Sequence, residues 1–427
     1  MKYLFTNARI LKMNGEKIFF GDLIVDGNRI KYVGPSKEHK EKFDRIIDCQ
    51  KNLLMPGFKN AHTHSAMVFL RSFADDLPLQ SWLFNYCFPA EAHLTEDDIY
   101  HLSKVAFLEY LTSGITACFD MYFYVPKYIK ACEDFGMRSL ICLMPNKYCT
   151  KEDMGRLYEQ YENKDCLTKI CFSLHSEYTT SKEDVDLINE LVHKYHAPFY
   201  THLSETKKEV EECINKRGIS PVQYFVDSGL FDYGGGGYHC VHMSDHDLDL
   251  FKEKGLTVVS NPGSNSKLAS GICDIERIRN KGINIALGTD GPASNNCLDM
   301  FKEMSLIYSL SKLYNNDASA TPAYEILKMA TVNGSKALNL KDADTLEENK
   351  LADIIMIDLS RPNMQPILNI ENNIVFAGSK ENIKMTMING KILYENGEFF
   401  VGEDINDIYK KAQEIAERIL KEVGRRE

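Results

Sequence analysis

Between residues 58 and 287 the chain alternates short apolar segments with longer amphipathic ones, and this pattern narrows the possible folds more than any other. The apolar segments are residues 58–62, 115–119, 139–143, 170–174, 198–202, 238–241, 256–260 and 283–287. Each has the length of a strand, and near-continuous hydrophobicity suits a strand buried on both faces of a parallel sheet. Strands separated by helices predict βαβ units, and eight such units predict an α/β fold closed as a (β/α)8 TIM-type barrel. One helix start is explicit: Thr95 and Asp98 form a capping box, Ile99, Leu102, Val105 and Ala106 mark an apolar face, and Gly114 stops the helix.

The ends of the chain are written differently. Residues 10–13, 21–27 and 29–34 are short strand-like runs with Asp26-Gly27-Asn28 as a turn, and the style returns at 353–358 and 385–394. The expected organisation is a small β-sandwich built from both termini (1–57 plus 345–400), a barrel over 58–344 and a C-terminal helix over 401–427. In that helix Ile405, Ile408, Ala412, Ile415 and Ile419 share one face. Fifty basic against 61 acidic residues give a net charge of −11, which removes any general attraction to phosphate backbones, so nucleic-acid polymers are not expected partners. No apolar run approaches membrane-spanning length, and polar residues interrupt the first nine positions. Twelve scattered cysteines without a CxxC pair fit reduced thiols, so the expectation is a cytoplasmic protein with no membrane partner. Homo-oligomerisation is left open.

Four strand ends carry chemistry. His62-Thr-His64 ends the first barrel segment, and residues two apart on a strand face the same way, so both imidazoles can reach one ion. Alone, this pair reads equally as two surface histidines. His202, with Glu205 three residues later, ends the fifth segment; a glutamate there can instead serve a helix dipole. His239 ends the sixth, with His242 as a structural companion, and Asp290 follows the eighth, where burial of a carboxylate demands a partner. Each signal is weak alone, but four at the strand ends of one barrel point to a metal-assisted site.

The segments PGFKNAHTH, HLSETKKEVEE, YHCVHM, NPGSNSKLASG and LGTDGPASNN, in that order, resemble the amidohydrolase superfamily, and closely its methylthioadenosine/S-adenosylhomocysteine deaminase branch. The resemblance implies one divalent metal, usually Zn2+ and sometimes Fe2+, held by His62, His64, His202 and Asp290. It makes Glu205 and His239 the proton-handling pair, places a ribose-gripping glutamate at Glu91 and a substrate-contacting histidine at His175, and sets Trp82 as an aromatic wall, a position that a structural aromatic would fill equally well. The implied reaction converts a small-molecule nucleoside (5′-methylthioadenosine, adenosine, 5′-deoxyadenosine or S-adenosylhomocysteine) to the inosine analogue plus ammonia. An ion held by three neutral imidazoles and a carboxylate lowers the pKa of its water toward about 7. Asp290 would then take a proton from that water, Glu205 would protonate purine N1, and His239 would hold or polarise the attacking oxygen.

Several positions depart from the family pattern. Leu143 stands where relatives place a first arginine for an amino-acid carboxylate, and Arg156 is the candidate for the second; a leucine cannot pair with a carboxylate, which lowers the expectation of an amino-acid-tailed substrate. Ser260 and Ser266 replace a usual histidine and leucine, and the glycine run 234–237 is an unusual feature just before His239; each reads as neutral drift first and as retuned specificity, with a looser His239, second. Sister hydrolases acting on guanine or triazines, chlorohydrolases included, would share the metal ligands and differ in pocket residues such as Glu91. A binuclear amidohydrolase needs a carboxylated lysine at the end of strand four, where His175 stands instead and Lys169 lies at the opposite end. The cytidine-deaminase pattern needs a CxxC that this chain lacks. A catalytically dead scaffold would be expected to have lost ligands, and none is missing.

Overall fold

Five strands open the chain: β1 (Lys2–Ile10), β2 (Phe19–Asp26), β3 (Arg29–Gly34), β4 (Arg45–Asp48) and β5 (Leu53–Pro56). In the computed structural model, which describes residues 1–424 except 147, 163 and 165, they join four strands from the other end of the chain. Between them lie the eight barrel strands β6 (Phe58–Thr63), β7 (Ile115–Asp120), β8 (Arg138–Leu143), β9 (Thr168–Ser173), β10 (Phe199–Leu203), β11 (Gly235–His239), β12 (Thr257–Ser260) and β13 (Asn284–Leu287). The late strands are β14 (Ile354–Ile357), β15 (Ile383–Ile388), β16 (Lys391–Glu395) and β17 (Glu398–Phe399). The terminal sheet runs β17-β16-β15-β14-β5-β1-β2-β3, with β4 also paired to β1.

The barrel strands are all parallel and neighbour one another in chain order. The seam between β13 and β6 is drawn together by the Asp290 amide, which donates to the His62 carbonyl at 3.0 Å, and by the side chain of Asn60. Asn60 donates to the Thr289 hydroxyl at 2.7 Å and accepts from the Thr289 amide at 2.9 Å. This is a (β/α)8 barrel with a separate sheet of terminal strands, as the alternation predicts. Strand periodicity splits its side chains into two layers. Ala117, Phe119, Met121, Leu140, Cys142, Tyr200, Tyr238 and Val259 fill the interior, whereas Cys118, Ile141, Leu143, Phe172 and Val258 pack against the helices. The terminal sheet is likewise two-faced: Ile354, Met356, Met385 and Met387 form a core with Phe5, Leu23 and Val25, while Ile355, Ile357 and Ile383 face the barrel's helices. Asp353 and Arg138, both buried, tie the sheet to the N-terminal end of β8 through bonds of 2.6 and 3.0 Å, away from the strand ends where the site lies.

Local signals and structure agree at the helix Glu96–Thr112, whose Thr95–Asp98 capping box is complete. The same box opens the helices after Ser181, Thr206 and Ser244. The first strand is longer than its sequence suggests. A register shift between Phe5 and Ala8, with Asn7 at φ 53°, breaks the alternation and hides a strand that spans Lys2–Ile10. The glycine run has a packing reason. A Cβ on Gly235 would stand 1.8 Å from the Phe199 carbonyl oxygen, and one on Gly236 would stand 2.1 Å from that of Thr257. The run therefore lets β11 lie close between β10 and β12 instead of loosening His239. The twelve cysteines are all free, and no helix among the described residues is long and apolar enough to cross a membrane.

Candidate active site

Every strand-end group singled out in the sequence comes to one mouth of the barrel. The ligand-type atoms of His62, His64, His202 and Asp290 all lie within 4.8 Å of one another. His62 Nε2 is 3.2 Å from both His202 Nε2 and Asp290 Oδ1, and His64 Nε2 is 3.1 Å from the same Oδ1. Asp290, at φ 59°, and His239, at φ 69°, adopt left-handed backbone without being glycine. Such strain, held by the surrounding structure, turns their side chains across the mouth.

Hydrogen bonds around the cluster decide what it can hold. His64 Nδ1 lies 2.6 Å from the Met121 carbonyl, and His202 Nδ1 lies 2.7 Å from that of His175. A carbonyl only accepts, so each neutral ring carries its proton on Nδ1 and turns the Nε2 lone pair inward. The Oδ2 of Asp290 is occupied by the hydroxyls of Ser264 and Ser294, each at 2.7 Å, which leaves Oδ1 for the cluster. The Nε2 atoms of His64 and His202, the Nε2 of His62 and a carboxylate oxygen therefore converge in one small space, which is the donor set a divalent cation takes. Three of these separations are 3.1–3.2 Å and none exceeds 4.8 Å, so one ion can be shared by all four groups. The same pull toward positive charge acts on His64: burial works against its proton, but Asp290 holds its pKa up at about 9. His62, fully buried, is pushed down to about 3, and its Nδ1 has no protein partner. Its ring stacks on Tyr238 at 3.7 Å.

Beside the cluster, His239 Nδ1 donates to Asn265 Oδ1 at 2.7 Å, so its Nε2 lone pair is free. Glu205 accepts from the Ser270 hydroxyl at 2.9 Å and lies 3.9 Å from His239 Nδ1. Its backbone is fixed by Glu209, which accepts from the amides of Ser204 and Glu205 at 2.7 and 2.8 Å. Capping of the following helix thus falls to Glu209, not Glu205. Burial raises the Glu209 pKa to about 7. His242 is committed elsewhere, with Nε2 2.7 Å from the Ser270 carbonyl.

A cleft with about 670 Å³ of empty space opens over these groups and is lined by Glu91, Tyr122, His175, Trp82, Phe88 and Met144 among others. Glu91, 9 % exposed, accepts from the Tyr122 hydroxyl at 2.6 Å, and burial pushes its pKa up to about 7. Burial likewise lowers His175 to about 4, and its Nδ1 lies 2.9 Å from the Thr179 hydroxyl. One local device brings Glu91 into this wall. Leu79, Trp82, Leu83, Phe88 and Glu91 all line the cleft, and the five-residue step from Leu83 to Phe88 coincides with a π-helical turn over Leu83–Cys87.

The two positions matched to the relatives' carboxylate-binding arginines lie elsewhere. Arg156 does not reach the cleft: it is on the outer face of the helix Lys151–Glu162, its side chain 71 % exposed and paired with Asp153 three residues before it. Leu143 is fully buried and faces the helix layer, because strand alternation gives the cleft to Met144. Ser260 is buried at the end of β12 and Ser266 donates to the Pro262 carbonyl, so neither lines the cleft. The residues that sequence reading missed are the holders: Tyr122, Ser264, Asn265, Ser270 and Ser294. The signal for the serines and Asn265 is the dense Ser/Asn content of the NPGSNSKLASG and TDGPASNN segments, beside an aspartate that needs partners; Tyr122 lies outside both.

Residues 53–393 match the model of the amidohydrolase family. The chain is 38 % identical, over 98 % of its length and all of the relative's, to a Thermoanaerobacter pseudethanolicus protein named 5-methylthioadenosine/S-adenosylhomocysteine deaminase. It is 36 % identical to a Methanocaldococcus jannaschii 5′-deoxyadenosine deaminase, over 93 % of this chain and 96 % of that one. Among solved structures, an adenosine deaminase from Xanthomonas campestris with bound zinc superposes with a TM-score of 0.93 at 29 % identity, covering 98 % of both chains.

Proposed function

The chain belongs to the amidohydrolase family, and from that premise we propose that it is a metal-dependent hydrolase acting on C–N bonds, which replaces the 6-amino group of an adenosine-like nucleoside with oxygen and releases ammonia. The observation that carries this reading is the convergence of three imidazole nitrogens and one carboxylate oxygen beside Glu205 and His239, under a cleft walled by Glu91.

His62, His64, His202 and Asp290 would hold one divalent ion, with zinc the first choice given a His/His/His/Asp donor set and the zinc in the Xanthomonas relative. When bound, the ion supplies positive charge that acidifies a water molecule and stabilises negative charge developing on its oxygen. Asp290, oriented by two serine hydroxyls on Oδ2, accepts a proton of the attacking water. His239 receives the water's second O–H on its free Nε2 and so aims the oxygen at purine C6. Glu205 delivers a proton to N1, which breaks the aromaticity that protects C6. Asp290 passes the proton it took to the 6-amino group, which leaves as ammonia. The remaining O–H proton passes to His239 as the C6 oxygen becomes the product carbonyl, and it offsets the proton that Glu205 gave to N1. Glu91 accepts the ribose hydroxyls, with Trp82 and His175 against the base.

The lining of the cleft supports an uncharged 5′ group. Met67, Met121, Met144, Leu268, Phe88 and Phe123 line the cleft, and none of its described lining residues is Lys or Arg. A carboxylate or phosphate there would be desolvated without a partner. Expected substrates are therefore 5′-methylthioadenosine, adenosine and 5′-deoxyadenosine ahead of S-adenosylhomocysteine. An ultraviolet assay of adenine-to-hypoxanthine conversion on these four tests the reading. Inactivity of metal-replete protein on all of them would overturn it.

A further inference from the structure

We propose that Lys267 is a positioning residue, a clasp that holds residues 72–83 and with them Trp82 over the cleft, and so sets how tightly the ligand is retained; this rests on the cleft being the nucleoside site. Lys267 belongs to the NPGSNSKLASG segment, and the reaction as derived gives it no task. It ends the helix Pro262–Lys267, and its ammonium reaches acceptors on two other segments: Asp75 Oδ1 at 2.6 Å, the Ala293 carbonyl at 2.8 Å and Asn296 Oδ1 at 3.1 Å. Asn296 completes the knot by donating to Asp75 Oδ2 at 2.9 Å and accepting from the Ser72 amide at 3.2 Å.

The strap between these anchors and the cleft has reason to need them. Ser72, Ala74 and Asp76 sit at φ 61°, 57° and 62°, left-handed conformations that residues with a Cβ rarely adopt without outside support. The strap's far end supplies the cleft wall through Leu79, Trp82 and Leu83. The clasp also joins pieces that carry the holders of the reacting groups: Ser264 and Asn265 share the helix of Lys267, and Ser294 lies on the helix Pro292–Asn295 beside Ala293. The Lys267 and Asp75 side chains are 20 % and 32 % exposed, so the pair is screened enough to break and reform as ligand passes.

Trp82 is the single tryptophan of the chain, so its fluorescence reports the strap directly. Acrylamide quenching of metal-loaded, ligand-free protein and separate kcat and KM values would be measured for wild type, Lys267→Met, Lys267→Arg and Asp75→Asn. The expected result for Lys267→Met and Asp75→Asn is quenching that rises toward that of free tryptophan and a KM about fivefold higher, the worth of a partly exposed ion pair, with kcat nearly unchanged. Lys267→Arg should restore most of both. A fall in thermal stability with quenching and KM unchanged would overturn the proposal, as would a loss confined to kcat. If Lys267→Met does not fold, Asp75→Asn, which keeps the bonds of Lys267 to Ala293 and Asn296, decides alone. The quenching arm needs no nucleoside, so it reads the clasp even if the deaminase reading fails.

Discussion

Replacing Asn265 with alanine isolates one element of the chemistry without touching the metal cluster. Asn265 and His239 are 2 % and 1 % exposed, and the 2.7 Å bond from His239 Nδ1 is what leaves Nε2 facing the reacting groups. Removing the acceptor leaves a buried donor unpaired, which costs about 1–3 kcal/mol, or else lets the ring take the other tautomer and present a hydrogen where a lone pair is needed. Either outcome corresponds to a fall of about 5- to 150-fold in kcat/KM. The local backbone keeps its own bonds, from the Asn265 amide to Asn261 and from the Ser270 amide to Asn265, both 2.9 Å. Deamination of 5′-methylthioadenosine would be followed alongside metal content, which should stay at one ion per chain. A variant within twofold of wild type, or one that loses metal in step with activity, would refute the role given to this bond.

Other outcomes follow from the same geometry. Glu205→Gln should lower kcat by about 10²–10⁴-fold while the metal remains bound, checked by turnover and elemental analysis of the same sample. Burial raises Glu91 to about 7, so the carboxylate that accepts ribose hydroxyls forms only as pH rises through that value. KM should therefore climb about tenfold per unit below pH 7 and level off above it, and Glu91→Gln should abolish this limb of the KM profile. Leu143→Ala should cost about 2–5 kcal/mol in denaturant unfolding with nucleoside preference unchanged, because that side chain packs against helices. Met144→Ala should instead shift KM among 5′-substituted nucleosides, because that side chain lines the cleft.

The barrel was legible because each strand is an apolar run between amphipathic helices, a pattern that survives errors of one or two residues at the ends. The positions of His62, His64, His202 and Asp290 were legible for a linked reason: each sits at a strand end, and parallel strands bring all such ends to one mouth. What joins residues across the barrel was not. The Asn265–His239 pair spans 26 positions and Tyr122–Glu91 spans 31, and no local rule relates such partners. Face was also lost where alternation alone could not count it: Leu143 and Met144 exchange roles with a one-residue shift in the exit from β8. Arg156 was matched by resemblance to relatives, and the structure sets it on an outer helix face. The bulge in β1 and the glycines of β11 hid strand residues because both break the ordinary composition of a strand.

The central claim is that His62, His64, His202 and Asp290 together hold one ion that the reaction requires. Elemental analysis of purified protein, before and after chelation and after restoring zinc, tests it most directly when paired with the deamination assay. The account predicts one divalent ion per chain, loss of turnover with its removal, recovery on its return, and greatly weakened binding in His64→Ala and Asp290→Ala. Full turnover by metal-free protein, or one tightly bound ion retained in both variants, would contradict it.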